Sequence, residues 1–378
     1  MKWNLILILA LLFIACNSTS EEEAAQPDAA KSVPEKTERN VSIKKIPEFA
    51  EMVTSVDNLR LREQPGSEGK EVMRLPERSV VIPTGKKTDL KQNVSLRGFS
   101  FNEPWIEVMV DDKIKGWVYT GAIDLQPNTS KFADELFEAR CTRFFGTVSN
   151  SVAIYRKNFR EANSAQDLKL VYEEALIIGD DASKAFDNRC RIKEIPTGDI
   201  DFLWVKAALP GFIITKGPKL ERIKFFLDIN QFIEKAVLTE KKDDDAAFNF
   251  LKEITGNSLL LPYREWIKTT SLSGGVSKLG AGIHTRFLDD IGMLHQENNL
   301  FIDGLITDEC NFLLEDIVSN TKGYQRGKEA ILAEIQKIKA KDYKFLTSEQ
   351  KTSIDNRISQ FSDLVGNKIL VNEKVGRN

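Results

Sequence analysis

Histidine is nearly absent from this chain, because its 378 residues include only two, His284 and His295. Zinc hydrolases hold their metal with several histidines, so the sequence excludes a zinc site of the usual multi-histidine kind. The two histidines lie in one predicted helix, from Val276 to Gln296, with a separation of roughly 16 Å at the helical rise. They are too far apart to ligate one metal ion. We expect no metal site, and we place both rings beside the apolar stripe of that helix.

Cysteine is also scarce, with four residues, Cys16, Cys141, Cys190 and Cys310. A Cys–His peptidase needs its cysteine at a helix start and a histidine well downstream. No histidine follows Cys310, and neither Cys141 nor Cys190 has the sequence surroundings of such a nucleophile. The apolar neighbours of Cys141 and Cys310 predict that both are buried. Whether Cys141 pairs with Cys190 in a disulfide is left open by the sequence. We predict no catalytic residues.

The chain has no strong excess of one charge and no long apolar run after its first sixteen residues. Its net charge is −3, with both signs interspersed, so no basic stripe favours nucleic acid as a partner. The longest later apolar stretch, Ile200 to Thr215, is broken by Asp201 and Pro210 and is too short to span a bilayer. We expect a buried helix and turn there. The glycine-rich segment 271–276 lacks the lysine of a P-loop, and we predict no cofactor.

The first sixteen residues carry the clearest signal that is present. Lys2 precedes about ten apolar residues, a run too short for a transmembrane helix and typical of a secretory signal. The ending Phe13-Ile14-Ala15-Cys16 resembles the lipobox of bacterial lipoproteins. The resemblance implies that residues 1–15 are a signal peptide that is removed. It also implies that Cys16 is acylated, by chains such as palmitate, and becomes the first residue of the mature chain.

Residues 16–46 are predicted to be a flexible tether behind this anchor. They are rich in Glu, Lys, Ser, Ala and Pro and have no apolar periodicity, a composition that cannot form a core. Two or three lipid chains anchor strongly, because each buried methylene group contributes about 0.8 kcal/mol. We therefore expect a lipid-anchored protein of the bacterial cell envelope, at the outer membrane. Whether it faces the periplasm or the cell surface is left open.

Residues 47–127 have the pattern of short strands separated by turns. The segment from Val53 to Arg62 alternates in polarity and stops at the turn Pro65-Gly66. Trp105 to Val110 and Gly116 to Tyr119 flank Asp111-Asp112-Lys113, which predicts a hairpin. Many short strands of this kind indicate a small β-barrel.

Three motifs in this region resemble the bacterial SH3-type domain: Asn58-Leu59-Arg60-Leu61-Arg62, Trp105-Ile106-Glu107-Val108 and Gly116-Trp117-Val118. The resemblance covers about a fifth of the chain. It implies an SH3-like barrel that engages peptidoglycan peptides or a protein partner, with Trp105, Trp117 and Tyr119 as candidate ligand-binding residues. One departure from the family pattern is a longer loop at residues 84–103, which either carries ligand contacts or blocks them.

From residue 130 onward the apolar period becomes that of helices. Capping boxes at Ser164 and Thr347 precede two apolar stripes. The stripes are Leu168, Val171, Tyr172, Ala175 and Leu176, then Ile354, Ile358, Phe361 and Val365. Residues 220–237 and 331–338 show the same period, and the charged segment 241–245 is expected as a turn before another helix. We predict an all-α domain at residues 130–378 with about eight to ten helices.

These observations predict a multidomain chain, a small SH3-like β-barrel followed by a larger all-α domain. We expect a non-catalytic binding or scaffolding protein, attached to a membrane through its lipid and bound to peptidoglycan or an envelope protein. The alternative is an envelope enzyme, a cell-wall hydrolase or other, with an unrecognised active site in the helical domain around His284. A deep polar cleft containing His284 would favour that alternative.

Overall fold

The computed structural model describes residues 47–190, 194–195, 198–199, 202–216, 222–239, 242–256, 264–268, 275–319 and 323–363. These residues belong to one compact unit. The predicted signal peptide, the lipidation site Cys16 and the tether lie outside the described residues. So do Leu220 and Val365 of the predicted helical stripes and most of the glycine-rich segment 271–276.

The first part of the described chain is built from strands. They are β1 (Met52–Thr54), β2 (Leu59–Arg62), β3 (Glu71–Leu75), β4 (Val80–Lys87), β5 (Gln92–Leu96), β6 (Phe99–Glu103), β7 (Trp105–Val110), β8 (Ile114–Tyr119) and β9 (Ile123–Asp124). Seven of them form an antiparallel sheet in the order β3-β2-β8-β7-β4-β1-β9, called here the N-terminal sheet. The three motif segments therefore lie on three adjacent strands, β2, β8 and β7.

Local sequence explains much of this sheet. Leu61 of β2 is fully buried while Arg60 beside it is exposed, because alternate residues of a strand face opposite sides. The predicted hairpin is confirmed: Asp111 and Asp112 both have positive φ and connect β7 to β8. Aspartate tolerates the left-handed region better than most residues, so the Asp-Asp pair suits a tight turn.

The prediction of a long loop at residues 84–103 is wrong. These residues complete β4 and then form a separate two-stranded hairpin, β5–β6, with its turn at Arg97 and Gly98. Gly98 has φ +82°, and a Cβ atom there would lie 2.6 Å from Cγ1 of Ile195. The turn therefore requires glycine both for its backbone conformation and for its close approach to a distant segment.

The β5–β6 hairpin packs into the helical part of the chain. Phe99 and Phe101 are almost fully buried, and Phe101 contacts Phe144 and Trp204 with ring centroids 5.0 and 6.5 Å apart. The backbone N–H of Ser100 also donates to the carbonyl of Arg189, at 3.0 Å. The apolar core consequently runs without a break from the N-terminal sheet through this hairpin into the helices.

The second part is mainly helical. Its helices are α1 (Lys131–Phe145), α2 (Ser149–Glu161), α3 (Ala165–Asp187), α4 (Leu203–Ala208), α5 (Ile229–Ala236), α6 (Asp243–Thr255), α7 (Ile283–Gln296), α8 (Thr307–Val318), α9 (Lys328–Ala340) and α10 (Ser348–Asp363). Both predicted caps are confirmed, since Ser164 accepts from Asp167 N–H and Thr347 from Gln350 N–H. The three aspartates of residues 243–245 occupy the first turn of α6, where the helix dipole favours them.

The prediction of an all-α domain at residues 130–378 is wrong in one respect, because this part of the chain also contains short strands. They are β10 (Gly198–Asp199), β11 (Phe212–Lys216), β12 (Lys224–Leu227), β13 (Ile267–Lys268), β14 (Val276–Ser277) and β15 (Gly323–Tyr324). They form two three-stranded sheets, β10-β11-β12 and β13-β14-β15. The helix predicted over 220–237 is in fact strand β12 followed by α5, and the predicted helix from Val276 begins instead at Ile283.

Among the described residues, no helix combines the length and the apolar character that crossing a bilayer requires. The longest, α3, has 23 residues and carries charged side chains along its exposed side.

Candidate functional site

Two of the three candidate ligand-binding aromatics lie beneath the β5–β6 hairpin. Trp105 is 7% exposed and Tyr119 is 4% exposed. The Trp105 indole N–H donates to the Gln92 side-chain oxygen at 2.7 Å, and the Tyr119 hydroxyl donates to the Gln92 carbonyl at 2.7 Å. The same hydroxyl accepts from the backbone N–H of Glu103 at 3.2 Å. These contacts tie both side chains to the base of the hairpin, where they position β5 and β6.

Trp117 is placed differently, on the outer side of the N-terminal sheet. It is half-buried, and its direct cross-strand partners are Arg62 on β2 and Glu107 on β7. Within the described part of the chain, the Trp117 indole N–H has no hydrogen-bond acceptor. Trp117 is therefore the candidate aromatic that a ligand can reach, with one cationic and one anionic neighbour.

Charged residues surround Trp117 on this side of the sheet. Glu107 accepts from the Thr84 hydroxyl at 2.7 Å and pairs with Lys86 and Lys115 at 3.3 and 3.4 Å. The hydrogen bond from Thr84, with help from the two lysines, lowers the pKa of the Glu107 carboxyl.

Beyond β2, Glu71 pairs with Arg60 and Arg74 at 3.3 and 2.9 Å, and Arg62 lies opposite Glu71. The surface formed by Arg60, Arg62, Glu71, Arg74, Lys86, Glu107, Lys115 and Trp117, called here the Trp117 face, thus has five cations and two anions. A surface with this excess of positive charge attracts anionic groups.

The two histidines do not share a site. His284 is fully buried, and its Nε2 lies 2.9 Å from Oδ2 of Asp316. The Ser277 hydroxyl donates to the same oxygen at 2.5 Å. The carboxylate therefore stands between serine and histidine, whereas nucleophilic catalysis needs the histidine beside the serine. His295 stacks on Phe345 with ring centroids 4.9 Å apart, and burial lowers its pKa. Among the described residues, no group of three or more His, Cys, Asp or Glu side chains is placed to hold a metal ion.

The three described cysteines are free thiols. Cys141 and Cys190, whose pairing the sequence left open, therefore form no disulfide with each other. Cys141 and Cys310 are buried, as predicted. Burial raises the pKa of each of these two thiols to about 12, and it raises the pKa of Cys190 as well. The nucleophile in cysteine chemistry is the thiolate, which these environments disfavour near neutral pH.

A cavity of about 620 Å³ lies in the helical part, between α3, strands β11 and β12, and the end of α6. Small-molecule sites typically enclose about 300–1,000 Å³, so this volume is in the range of a ligand site. Its walls are largely apolar and include Leu176 from α3, Leu227 from β12 and Leu251 from α6. Leu176 is an apolar residue of this wall, yet its side chain is 53% exposed to solvent. His284 is not among the residues that line the cavity.

Most charged groups of the cavity wall are already paired. Asp180 binds Lys224 at 3.2 Å, and the Arg264 guanidinium makes two hydrogen bonds to Glu309, at 2.9 and 2.6 Å. Asp228 accepts from the backbone N–H of Asn230 and so caps α5. Each negative group of the cavity therefore already has a hydrogen-bond donor within the chain.

Among the charged and hydroxyl groups of the wall, two donors have no acceptor in the described residues, the buried hydroxyl of Tyr172 and the exposed ammonium group of Lys252. Tyr172 is 6% exposed, and burial raises its pKa, with the Glu309 carboxylate adding to the effect. Lys252 lies in the last turn of α6. Sequence reasoning assigned Tyr172 to a core stripe and gave Lys252 no role, because the cavity forms from elements that are far apart in the chain.

No protein-family model, curated protein or solved structure gives a significant match to the chain.

Proposed function

We propose that the chain is an exported bacterial lipoprotein that binds a partner in the cell envelope. Its N-terminal sheet would be an SH3-like barrel, and the Trp117 face would be the binding surface. Lipid on Cys16 and the tether of residues 16–46 would hold this surface at the membrane, within reach of the cell wall.

The observation that carries this proposal is the Trp117 face. A partly exposed tryptophan, whose indole N–H has no acceptor in the described part of the chain, lies among five cations and two anions, of which Arg62 and Glu107 are largely buried. Aromatic and arginine side chains supply most of the binding energy in recognition surfaces, and the excess of cations favours an anionic partner. Peptidoglycan stem peptides carry free carboxylates, so they match this chemistry. The position of the three motifs on adjacent strands β2, β8 and β7 also supports the resemblance to SH3-type domains.

The alternative, an envelope enzyme centred on His284, has less support. That alternative required a polar cleft containing the histidine, whereas the His284 ring is fully buried and its Nε2 is engaged by Asp316. A general base must reach the proton that it abstracts in a bound substrate. The geometry therefore favours binding over catalysis at this residue.

The test is sedimentation of a chain comprising residues 47–378 with purified sacculi. We expect the wild-type chain to sediment and Trp117→Ala to lose about 2 kcal/mol of binding free energy or more, close to thirtyfold in affinity. Lys115→Gln combined with Arg60→Gln should weaken binding at low salt and make it less sensitive to added salt, because salt screens the attraction that these two cations supply. Circular dichroism must first show that each variant is folded.

Phe312→Ala is the control, because Phe312 is another aromatic that solvent reaches but it lies on α8. It should sediment like the wild type. A wild-type chain that stays in the supernatant would contradict the wall-binding proposal, and a protein partner from the envelope would take its place. A folded Trp117→Ala variant that sediments normally would remove the Trp117 face from the proposal.

A further inference from the structure

We propose that the cavity between α3, β12 and α6 is a binding site for a small amphiphilic carboxylate, a molecule with an extended apolar body and one anionic head. This site is separate from the Trp117 face, and the argument for it uses different residues.

The anionic head group is inferred from the groups of the cavity wall that have no hydrogen-bond partner. Each carboxylate of the cavity wall already has a donor within the chain: Asp180 has Lys224, Glu309 has Arg264, and Asp228 has the start of α5. The charged or hydroxyl groups that lack a partner in the described residues are both donors, Tyr172 and Lys252. Tyr172 is buried, and a buried hydroxyl without a hydrogen bond costs free energy, so a ligand that supplies an acceptor is favoured here. Lys252 is exposed, and its ammonium group adds a positive charge that an anionic acceptor can pair with. A carboxylate supplies acceptors only.

The two donors lie toward the same end of the cavity. The Tyr172 ring is close enough to the Arg264–Glu309 pair for both charges to act on its pKa. The backbone N–H of Glu265 donates to the carbonyl of Ile254 at 2.6 Å, which places the last turn of α6, with Lys252, beside Arg264. Arg264 pairs with Glu309, and the other nearby carboxylate, Asp308, is exposed and does not line the cavity. Lys252 is therefore the lining cation that an incoming anion can pair with.

The apolar body of the ligand is inferred from the apolar residues that line the rest of the cavity. Leu176 on α3 is half-exposed, and Phe226 and Leu227 on β12 are only partly buried, although all three line a concave surface. A ligand that covers these side chains gains about 25 cal/mol for each Å² of apolar surface removed from water. The cavity therefore selects a molecule that is apolar along most of its length and charged at one end.

The test uses calorimetric titration of residues 47–378 with two probes of equal chain length, decanoate and decyltrimethylammonium, below the concentrations at which they form micelles. We expect decanoate to bind at one site per chain and the cationic probe to bind at least tenfold more weakly. Tyr172→Phe and Lys252→Met each keep the apolar part of the side chain, so both variants should fold. Each should weaken decanoate binding by about tenfold, the loss expected for a hydrogen bond to a charged group.

Two control variants separate this effect from general damage. Tyr155→Phe removes a hydroxyl that donates to the Pro210 carbonyl and does not line the cavity, and Lys157→Met removes an exposed lysine of α2. Both should bind decanoate like the wild type. The proposal is overturned if decanoate does not bind, if the cationic probe binds as tightly, or if both Tyr172→Phe and Lys252→Met bind decanoate normally. None of these results bears on sedimentation with sacculi, which tests the other surface.

Discussion

Arg140 of α1 forms a bidentate ion pair with Glu103 of β6 inside the core. Its Nε and Nη2 atoms lie 2.7 and 2.8 Å from the two carboxylate oxygens. Both side chains are almost completely buried. The remaining donors of Arg140 bond to the carbonyls of Thr120 and Ile123, at 2.7 and 2.8 Å. Its guanidinium group also lies over the Phe101 and Trp204 rings. One residue thus joins the first helix, the β5–β6 hairpin and the end of the N-terminal sheet.

Breaking this pair should be strongly destabilising. Glu103→Gln keeps the shape of the side chain but leaves the Arg140 charge buried without its counter-ion, and we expect a loss of about 3–5 kcal/mol in the free energy of unfolding. Glu77→Gln is the matched control, because Glu77 pairs with Arg97 at the surface near the same hairpin. Exposed pairs contribute about 1 kcal/mol or less. Denaturant titration measures both, and a loss below about 1 kcal/mol for Glu103→Gln would argue that the buried pair is not important.

Removing residues before Ser130 should expose the aromatic surface that the hairpin covers. The sequence analysis predicts an all-α domain at residues 130–378, which on its own would give a strongly helical spectrum. Because Phe99 and Phe101 pack on the helical part, we expect this shortened chain to remain helical but to unfold at a lower temperature and to bind the dye ANS. The reference is the chain of residues 47–378. Equal thermal stability and no dye binding would mean that the two parts are energetically independent.

The stability contributed by Glu107 should depend on pH. Its folded-state pKa is lowered, chiefly by the Thr84 hydrogen bond, from an ordinary value of 4.5. A lowered pKa means that the contribution is complete above the unfolded-state value and is lost as pH falls through the folded-state value. We expect wild type to be more stable than Glu107→Gln at pH 7 and the difference to shrink as pH falls below 4.5.

Unfolding measured at a series of pH values gives this difference directly. Glu51→Gln serves as the control, because Glu51 is exposed and has no ion pair among the described residues. A wild-type advantage for Glu107 that persists unchanged at pH 2.5, roughly two pH units below the usual carboxyl range, would show that the contact does not act through ionisation.

Cys16→Ser should release the chain from the membrane. The prediction rests on the ending Phe13-Ile14-Ala15-Cys16 of the signal segment. In bacterial lipoproteins acyl chains are attached to the cysteine sulfur and the new amino terminus. If Cys16 is lipidated in this way, the variant should partition into the aqueous phase of a detergent extraction and lack the lipid mass. Detergent-phase partitioning and an unchanged mass in the variant would contradict lipidation at Cys16.

Local signals in the sequence predicted the local structure well. The Asp111-Asp112 turn, the caps at Ser164 and Thr347, and the burial of Cys141 and Cys310 each follow from a few neighbouring residues, and each is confirmed. Short apolar runs were ambiguous: residues 224–227 have spacing compatible with a helix, yet form β12. Residues 224–227 form a strand because they pair with β11, and the spacing of apolar residues within 224–227 carries no information about that partner.

The sites depended on contacts between distant segments, which explains why they were predicted less well. Trp105 was expected near an open loop, but the loop folds as a hairpin over it, because Phe99 and Phe101 find their apolar partners on α1 and α3. A local signal for this hairpin does exist, in the alternation around Arg97-Gly98. The cavity donors Tyr172 and Lys252 had no such signal, since a side chain becomes unpaired only through the arrangement of several elements.

The insertion of the β5–β6 hairpin also sets the order of folding. Phe99 and Phe101 emerge early in the chain, whereas Phe186 and Trp204, against which they pack, emerge only after α3. The β5–β6 hairpin therefore cannot complete its burial until more than half of the chain has been synthesised. Contacts of such large sequence separation slow folding and leave aromatic strands exposed meanwhile. Aggregation during this interval is therefore the main hazard of the fold.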